Sequence, residues 1–128
     1  MNQDSNKEPN QQTNAAPKFA FLLDDNLMSA VRVQGQLEAA GFQVRLAKIL
    51  LTEEIEAPEI VLINLGSRSL KGVAQIESCR ARFPAARVLG FCGHTEIEIR
   101  QAAKAAGIGR IFTNEEAMIE LAKLLKNC

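Results

Sequence analysis

Several residues that could do chemistry directly follow short apolar runs in the sequence. Asp24 and Asp25 follow the run FAFLL, Asn64 follows IVLI, Cys92 follows VLGF, and Asn114 lies two residues after RIF. Two adjacent carboxylates can bind a divalent cation such as Mg²⁺, because this ion prefers hard anionic oxygen ligands. A cysteine at a strand-to-helix turn can act as a nucleophile when a helix N-terminus lowers its pKa. The sequence therefore offers a candidate metal site at Asp24 and Asp25 and a candidate reactive thiol at Cys92.

The apolar runs predict five β-strands that alternate with segments of helical period. The predicted strands are Phe19–Leu23, Phe42–Leu46, Ile60–Ile63, Val88–Phe91 and Arg110–Phe112. The first and third are apolar throughout, as expected for strands buried on both faces of a parallel sheet. This alternation predicts an α/β fold with a flavodoxin-like, doubly wound five-stranded parallel sheet in the order 2-1-3-4-5.

The helical segments carry their own start and stop signals. Gly41 suits a left-handed helix end, whereas Gly35 lies inside a helical pattern and suggests close packing. Thr95–Glu98 has the spacing of a capping box, and a last helix is predicted to start after Asn114. The segment Lys48–Ala57 is too short for a full helix with two connections, which predicts an abbreviated second helix.

The predicted topology gathers the polar residues at one edge of the sheet. In a doubly wound sheet the functional crevice lies outside the carboxyl ends of the strands. Asp24, Asp25, Asn64, Cys92 and Asn114 all come at or just after a strand end. We therefore expect these five residues to lie around one crevice.

Composition narrows the classes of protein to which the chain can belong. The 128 residues suffice for one domain. The 15 Lys and Arg balance the 15 Asp and Glu, so the chain has no excess positive charge with which to bind nucleic acid. Apolar runs are too short to predict a membrane span. Three cysteines without CxxC spacing favour neither a disulfide framework nor a zinc site, and they suit a reducing cytoplasm.

The chain is predicted to divide into a tail and one domain. Residues 1–17 are rich in Asn and Gln, offer almost nothing to bury, and lack the basic start and apolar stretch of a signal peptide. We expect a disordered tail over 1–17 and a single domain over 18–128. With no predicted effector domain, such a chain is expected to act through another protein.

Four segments resemble the receiver domains of bacterial two-component response regulators. They are FAFLLDDN, LEAAGFQV, PEIVLINL and KAAGIGRIFTN, and the resemblance extends from Lys18 to Leu125. In that family the acidic pair after the first strand helps to bind Mg²⁺, and an Asp that ends the third strand accepts a phosphoryl group. A Ser or Thr ends the fourth strand and a Lys ends the fifth.

The residues of this chain match the family pattern at two of these five positions. Asp24 and Asp25 match the acidic pair, whereas the phosphoacceptor falls on Asn64, the hydroxyl on Cys92 and the lysine on Asn114. Phosphoryl transfer needs a carboxylate nucleophile, and an amide is a very poor substitute. Asn64 also removes one negative charge from a Mg²⁺ cage, so only weak metal binding at Asp24 and Asp25 is expected.

These residues leave three hypotheses about function. The leading one is a pseudo-receiver, a non-enzymatic signalling module that binds another protein without aspartyl phosphorylation. The second is a divergent phosphorelay receiver that is still phosphorylated or binds Mg²⁺ at Asp24 and Asp25. The third is a small thiol enzyme that uses Cys92. No nucleotide, flavin or cobalamin motif is present, so no cofactor is expected beyond weak Mg²⁺.

The resemblance also implies a partner-binding surface. In the family, the fourth helix, fifth strand and fifth helix commonly dock partners or a second copy. The charged residues of this region have mixed signs, which could pair across the two-fold axis of a homodimer. They are Arg100, Lys104, Arg110, Glu116 and Glu120. The alternative is that they are simply solvated helix faces.

Overall fold

The computed structural model describes residues 18–47, 56–67 and 71–126 of the chain. Its strands are β1 (Lys18–Leu23), β2 (Phe42–Ala47), β3 (Ile60–Asn64), β4 (Arg87–Cys92) and β5 (Arg110–Thr113). Its helices are α1 (Leu27–Ala39), α2 (Gly72–Arg82), α3 (Ile97–Ala105) and α4 (Leu121–Leu125), the last preceded by a π-helical turn over Glu116–Glu120. The predicted tail over 1–17 and most of the predicted abbreviated helix over Lys48–Ala57 lie outside the described residues.

All five strands form one parallel sheet in the order β2-β1-β3-β4-β5. This confirms the predicted fold class and strand order. Each strand is one or two residues longer than predicted, because pairing with a neighbour decides where a strand stops. Ala47 lies opposite Leu23, and Cys92 lies opposite Thr113.

Two hydrophobic clusters cover the two faces of the sheet. On one face Leu22, Leu62 and Phe91 pack with residues of α1 and α4. On the other face alternate residues of the same strands, such as Leu23 and Ile63, pack with residues of α2 and α3. The period-2 alternation of strands thus gives each face its own core, as a doubly wound sheet requires.

Three details of the predicted helices are wrong. Gly35 does not mark close packing, since a Cβ added there would meet nothing within 4 Å. The helix after β4 has no capping box at Thr95. Its start is organised instead by Glu96, whose carboxylate Oε2 accepts from the Gly93 N–H at 2.9 Å. The last helix starts at Asn114 rather than after it, and its stretch over Glu116–Glu120 is π-helical rather than α-helical.

Candidate functional site

The carboxyl ends of β1, β3, β4 and β5 surround a cleft of about 540 Å³. Three of the five predicted site residues line it, namely Asp25, Asn64 and Asn114. Asp24 is hydrogen-bonded to Asn64 and is only 2% exposed. Cys92 is not among the lining residues. The other lining residues are Asn26, Met28, Ser29, Arg32, Gly66, Ser67, Phe91, Glu96 and Met118.

Asp24 is held by three protein donors. Its Oδ1 accepts from the backbone N–H of Asn26 at 3.0 Å and from the Asn64 side-chain amide at 2.8 Å. Its Oδ2 accepts from the Ser29 hydroxyl at 2.7 Å. A buried carboxylate is costly unless it is paired or hydrogen-bonded, and these three donors supply that stabilisation without a cation.

Asn64 is fixed at both ends of its amide. Its Nδ2 donates to Asp24, and its Oδ1 accepts from the Gly66 N–H at 3.0 Å. An aspartate at position 64 in this conformation would place one of its carboxylate oxygens at hydrogen-bonding distance from Oδ1 of Asp24, with no proton between the two oxygens. Like charges that close repel strongly. The amide therefore joins Asp24 to the loop after β3, where a carboxylate would need a cation.

Asp25 differs from its neighbour because it faces the cleft. It is half-buried, and its Oδ1 accepts from the hydroxyl of Ser67 in the loop after β3. The N-terminus of α1 is capped by the next residue, Asn26, whose Oδ1 accepts from the Met28 N–H at 3.0 Å. The acidic pair is thus divided between a buried structural carboxylate and a cleft-facing one.

The donor set does not fit the acidic Mg²⁺ cage that the resemblance implies. Three carboxylates lie at the cleft, and each already accepts hydrogen bonds: Asp24 from three donors, Asp25 from Ser67, and Glu96 from the Gly93 N–H. The described residues contain no group of three or more His, Cys, Asp and Glu side chains that could hold a metal ion. Mg²⁺ demands near-octahedral oxygen ligation and dehydrates reluctantly, so this arrangement gives it little.

Cys92 does not line the cleft, contrary to the expectation from the sequence. Its side chain is fully buried in the cluster formed with α2 and α3, whereas the preceding residue, Phe91, lines the cleft. Burial raises the pKa of the Cys92 thiol, and the nearby Arg100 lowers it only in part. An activated thiol needs access and a lowered pKa. Cys92 meets neither condition, so the structure argues against the hypothesis of a thiol enzyme.

Asn114 and Arg32 lie at the rim of the cleft. Asn114 follows β5 directly and is exposed, so it presents a neutral amide where the resemblance implies a lysine. Arg32 of α1 was missed by the sequence analysis, although it falls one helical turn after Met28 and therefore on the same helix face. The signal that could have found it is its spacing of one turn from Met28, in the helix that Asn26 caps.

Comparisons with known proteins place the fold. No family model matches the sequence, and neither does any curated protein. Solved structures do match. A CheY-like receiver domain protein from Methanospirillum hungatei superposes with a TM-score of 0.74 and 18% identity, covering 88% of this chain and 93% of its own. The chemotaxis protein CheY4 from Vibrio cholerae gives 0.72 and 20%, covering 88% and 98%.

A response regulator from Burkholderia pseudomallei, solved with a phosphorylated aspartic acid, a calcium ion and citrate, is also similar. Its TM-score is 0.63 at 21% identity, covering 86% of this chain and 71% of its own. This chain has the receiver fold. The resemblance seen in the sequence is thereby confirmed at the level of the fold.

The receiver fold fixes where each predicted position lies. Asn64 is the last residue of β3, where the resemblance implies a phosphoacceptor Asp, and Asn114 directly follows β5, where the resemblance implies a Lys. Both line the cleft, so two neutral amides lie where the resemblance implies a carboxylate and an ammonium group. No described helix is long and apolar enough to cross a membrane.

Proposed function

We propose that this receiver-fold chain is a pseudo-receiver, a signalling module that binds another protein and works without aspartyl phosphorylation. The observation that carries the proposal is the Asn64 amide, which donates to Asp24 at 2.8 Å and accepts from Gly66 at 3.0 Å. An amide in this position cannot become an acyl phosphate, because that product requires a carboxylate oxygen as nucleophile.

The two aspartates of the acidic pair are poor replacements for the missing acceptor. Asp24 is buried, and both of its oxygens already accept hydrogen bonds. A nucleophile needs an accessible oxygen, so phosphorylation there would require the network to open. Asp25 faces the cleft but accepts from Ser67. It is the residue on which the alternative of a divergent, phosphorylatable receiver depends.

Exposed apolar side chains support a protein-binding role. Leu27, Met28 and Val31 of α1 are 73%, 83% and 70% exposed. Large apolar side chains grouped on one exposed surface are typical of interaction sites. In contrast, Glu116 of the predicted dimer surface already accepts from the Thr113 N–H at 2.9 Å, which engages one of its oxygens within the chain.

The decisive experiment is the intact mass of the protein after incubation with acetyl phosphate and Mg²⁺. Wild type is compared with Asn64→Asp, with Asp25→Asn, and with a restored variant carrying Asn64→Asp, Cys92→Thr and Asn114→Lys. We expect no adduct on wild type and one hydroxylamine-sensitive phosphoryl adduct on the restored variant. Circular dichroism of each variant confirms that it is folded.

The opposite pattern would overturn the proposal. A phosphoryl adduct on wild type that disappears in Asp25→Asn would establish the divergent receiver, with Asp25 as a relocated acceptor.

Size-exclusion chromatography with light scattering tests whether the partner is a second copy of the chain. A dimer mass would identify a second copy as one partner.

A further inference from the structure

A second cavity lies at the opposite end of the sheet from the cleft. It has a volume of about 570 Å³, within the range of sites for small molecules. The end of α2, the turn after α3 and the first residues of β4 and β5 enclose it. Its lining residues are Arg80, Phe83, Pro84, Ala86, Arg87, Val88, Leu89, Gly107, Gly109 and Arg110.

Three arginines share this cavity. Arg80 comes from the last turn of α2, Arg87 is the first residue of β4 and Arg110 is the first residue of β5. Among the described residues, the lining includes no Asp or Glu. Glu59 is near in the fold, since its carbonyl accepts from the Arg87 N–H at 2.9 Å, but it is not a lining residue. The cavity wall is therefore strongly positive.

Two of the guanidinium groups are held in place by the fold. Arg80 Nη1 donates to the carbonyl of Ala106 at 3.0 Å. Its guanidinium lies against Gly107, which has a φ of +91° and where a Cβ would be only 2.2 Å from Arg80 Nη1. Arg110 lies over the ring of Phe112, with 4.6 Å from its Cζ to the ring centroid. Groups that are already ordered lose less entropy when they bind a ligand.

Arg80 and Arg87 retain donors for a ligand. The bond to Ala106 accounts for one of the five N–H groups of Arg80, and Arg87 is exposed at the mouth of the cavity. A guanidinium presents its N–H groups in a planar fork that matches phosphate oxygens in pairs. Two such forks, with the positive charge of Arg110 beside them, fit a group with more than one negative charge.

The rest of the wall is apolar. Pro84 is exposed and Ala86 half-buried, and they form its accessible apolar surface. Phe83, Val88 and Leu89 also line it but are each at most 6% exposed. This wall offers nothing to a bare inorganic anion, but it can bury the apolar or aromatic part of an organic one. A cavity with both a cationic and an apolar wall therefore favours an organic anion over a bare inorganic one.

We propose that the arginine cavity binds a phosphorylated small molecule with an aromatic part, of the nucleotide class. Arg80 and Arg87 hold the phosphates, and the wall around Pro84 contacts the aromatic part. This site is separate from the cleft at Asp25 and Asn64, so the proposal stands whether or not the chain is phosphorylated.

Isothermal titration calorimetry with ADP as the probe tests the site in the full chain. Adenosine and inorganic phosphate are titrated separately as the two parts of the probe. We expect ADP to bind more tightly than either, and its affinity to fall as salt is raised, because exposed charge pairs are screened. No binding of ADP, or equal binding of adenosine, would overturn the proposal.

Arginine variants locate the site. Arg87→Gln and Arg80→Lys are each expected to weaken ADP binding by about tenfold, since Lys keeps the charge of Arg80 but not its fork. Arg32→Gln removes the same charge at the other cleft and serves as the matched control. Since Arg87 is exposed, its replacement leaves the fold intact. An equal loss in Arg32→Gln and Arg87→Gln would show non-specific attraction and overturn the proposal.

Discussion

The side-chain amide of Asn64 donates to the carboxylate of Asp24 across 2.8 Å, joining residues that are 40 positions apart. Parallel pairing of β1 with β3 places Leu23 opposite Ile63, so the residues that follow them meet at the sheet edge. The hydrogen bond is therefore a consequence of register. Any substitution that breaks it removes a partner from a buried charge.

Removing the Asp24 carboxylate should destabilise the protein strongly. Asp24→Ala leaves the Asn26 N–H, the Ser29 hydroxyl and the Asn64 amide without their acceptor, and we expect a loss of about 3 kcal/mol in the free energy of unfolding. The chain has no Trp, so urea unfolding is followed by far-UV circular dichroism. The control is Asp25→Ala, with an expected loss of about 1 kcal/mol or less. Equal losses would show that Asp24 is not the structural member of the pair.

Two glycines at open positions should respond to alanine in opposite directions. A Cβ at Gly35 or Gly41 would meet nothing within 4 Å, but only Gly41 has a positive φ, of 99°. Gly35→Ala should raise the free energy of unfolding by up to about 1 kcal/mol through helix propensity. Gly41→Ala should lower it by about 1 kcal/mol through backbone strain. Thermal unfolding of both variants checks the signs, and a shift in the same direction for both would contradict this account.

The fold was readable from the sequence because its core strands are apolar without interruption. In β1 and β3 the residues from Ala20 to Leu23 and from Ile60 to Ile63 are all buried, and only a sheet covered on both faces produces such runs. Strand ends were less predictable, since they depend on partners. Gly35 misled because a helical glycine has two explanations, close packing or mere tolerance, and sequence alone does not separate them.

The topology predicted which residues lie near the site, but it did not predict which of them are in contact. Strand ends gathered Asp25, Asn64 and Asn114 as expected, since that follows from parallel pairing alone. The bonds of Asp24 depend on side-chain rotamers and were not readable. The position of Cys92 was readable in principle. Alternation along β4 puts it on the same face as Val88, opposite to Phe91.

The start of the last helix should depend on Thr113. Its Oγ1 accepts from the Glu116 N–H at 3.0 Å, and its N–H donates to Glu116 Oε1 at 2.9 Å, which is a reciprocal capping box. Thr113→Ala should cost about 1 kcal/mol in the free energy of unfolding. Thr113→Ser keeps the hydroxyl and should cost less. Thr95→Ala is the control, because Thr95 is exposed and makes no side-chain bond among those described. If it costs as much as Thr113→Ala, the cap has been misplaced.

Buried thiols should make the protein less stable in alkali. Burial raises the pKa of Cys79 from 9.0 to about 11, although the nearby Arg82 lowers it in part. Between these values the unfolded chain has lost the thiol proton and the folded chain has kept it. The free energy of unfolding must therefore fall as pH rises through this window, by up to about 1.4 kcal/mol per pH unit for this group.

The variant Cys79→Ala isolates that contribution, because it removes the titrating group and keeps a small apolar side chain in the core. Urea unfolding of wild type and variant is measured at pH 8, pH 9 and pH 10, on both sides of the ordinary thiol pKa of 9.0. We expect the difference in stability between them to be constant below this value and to shrink above it. Cys92, whose pKa burial also raises, remains in both proteins and cancels. A difference that stays constant throughout would mean that the Cys79 thiol ionises in the folded protein as readily as in the unfolded one.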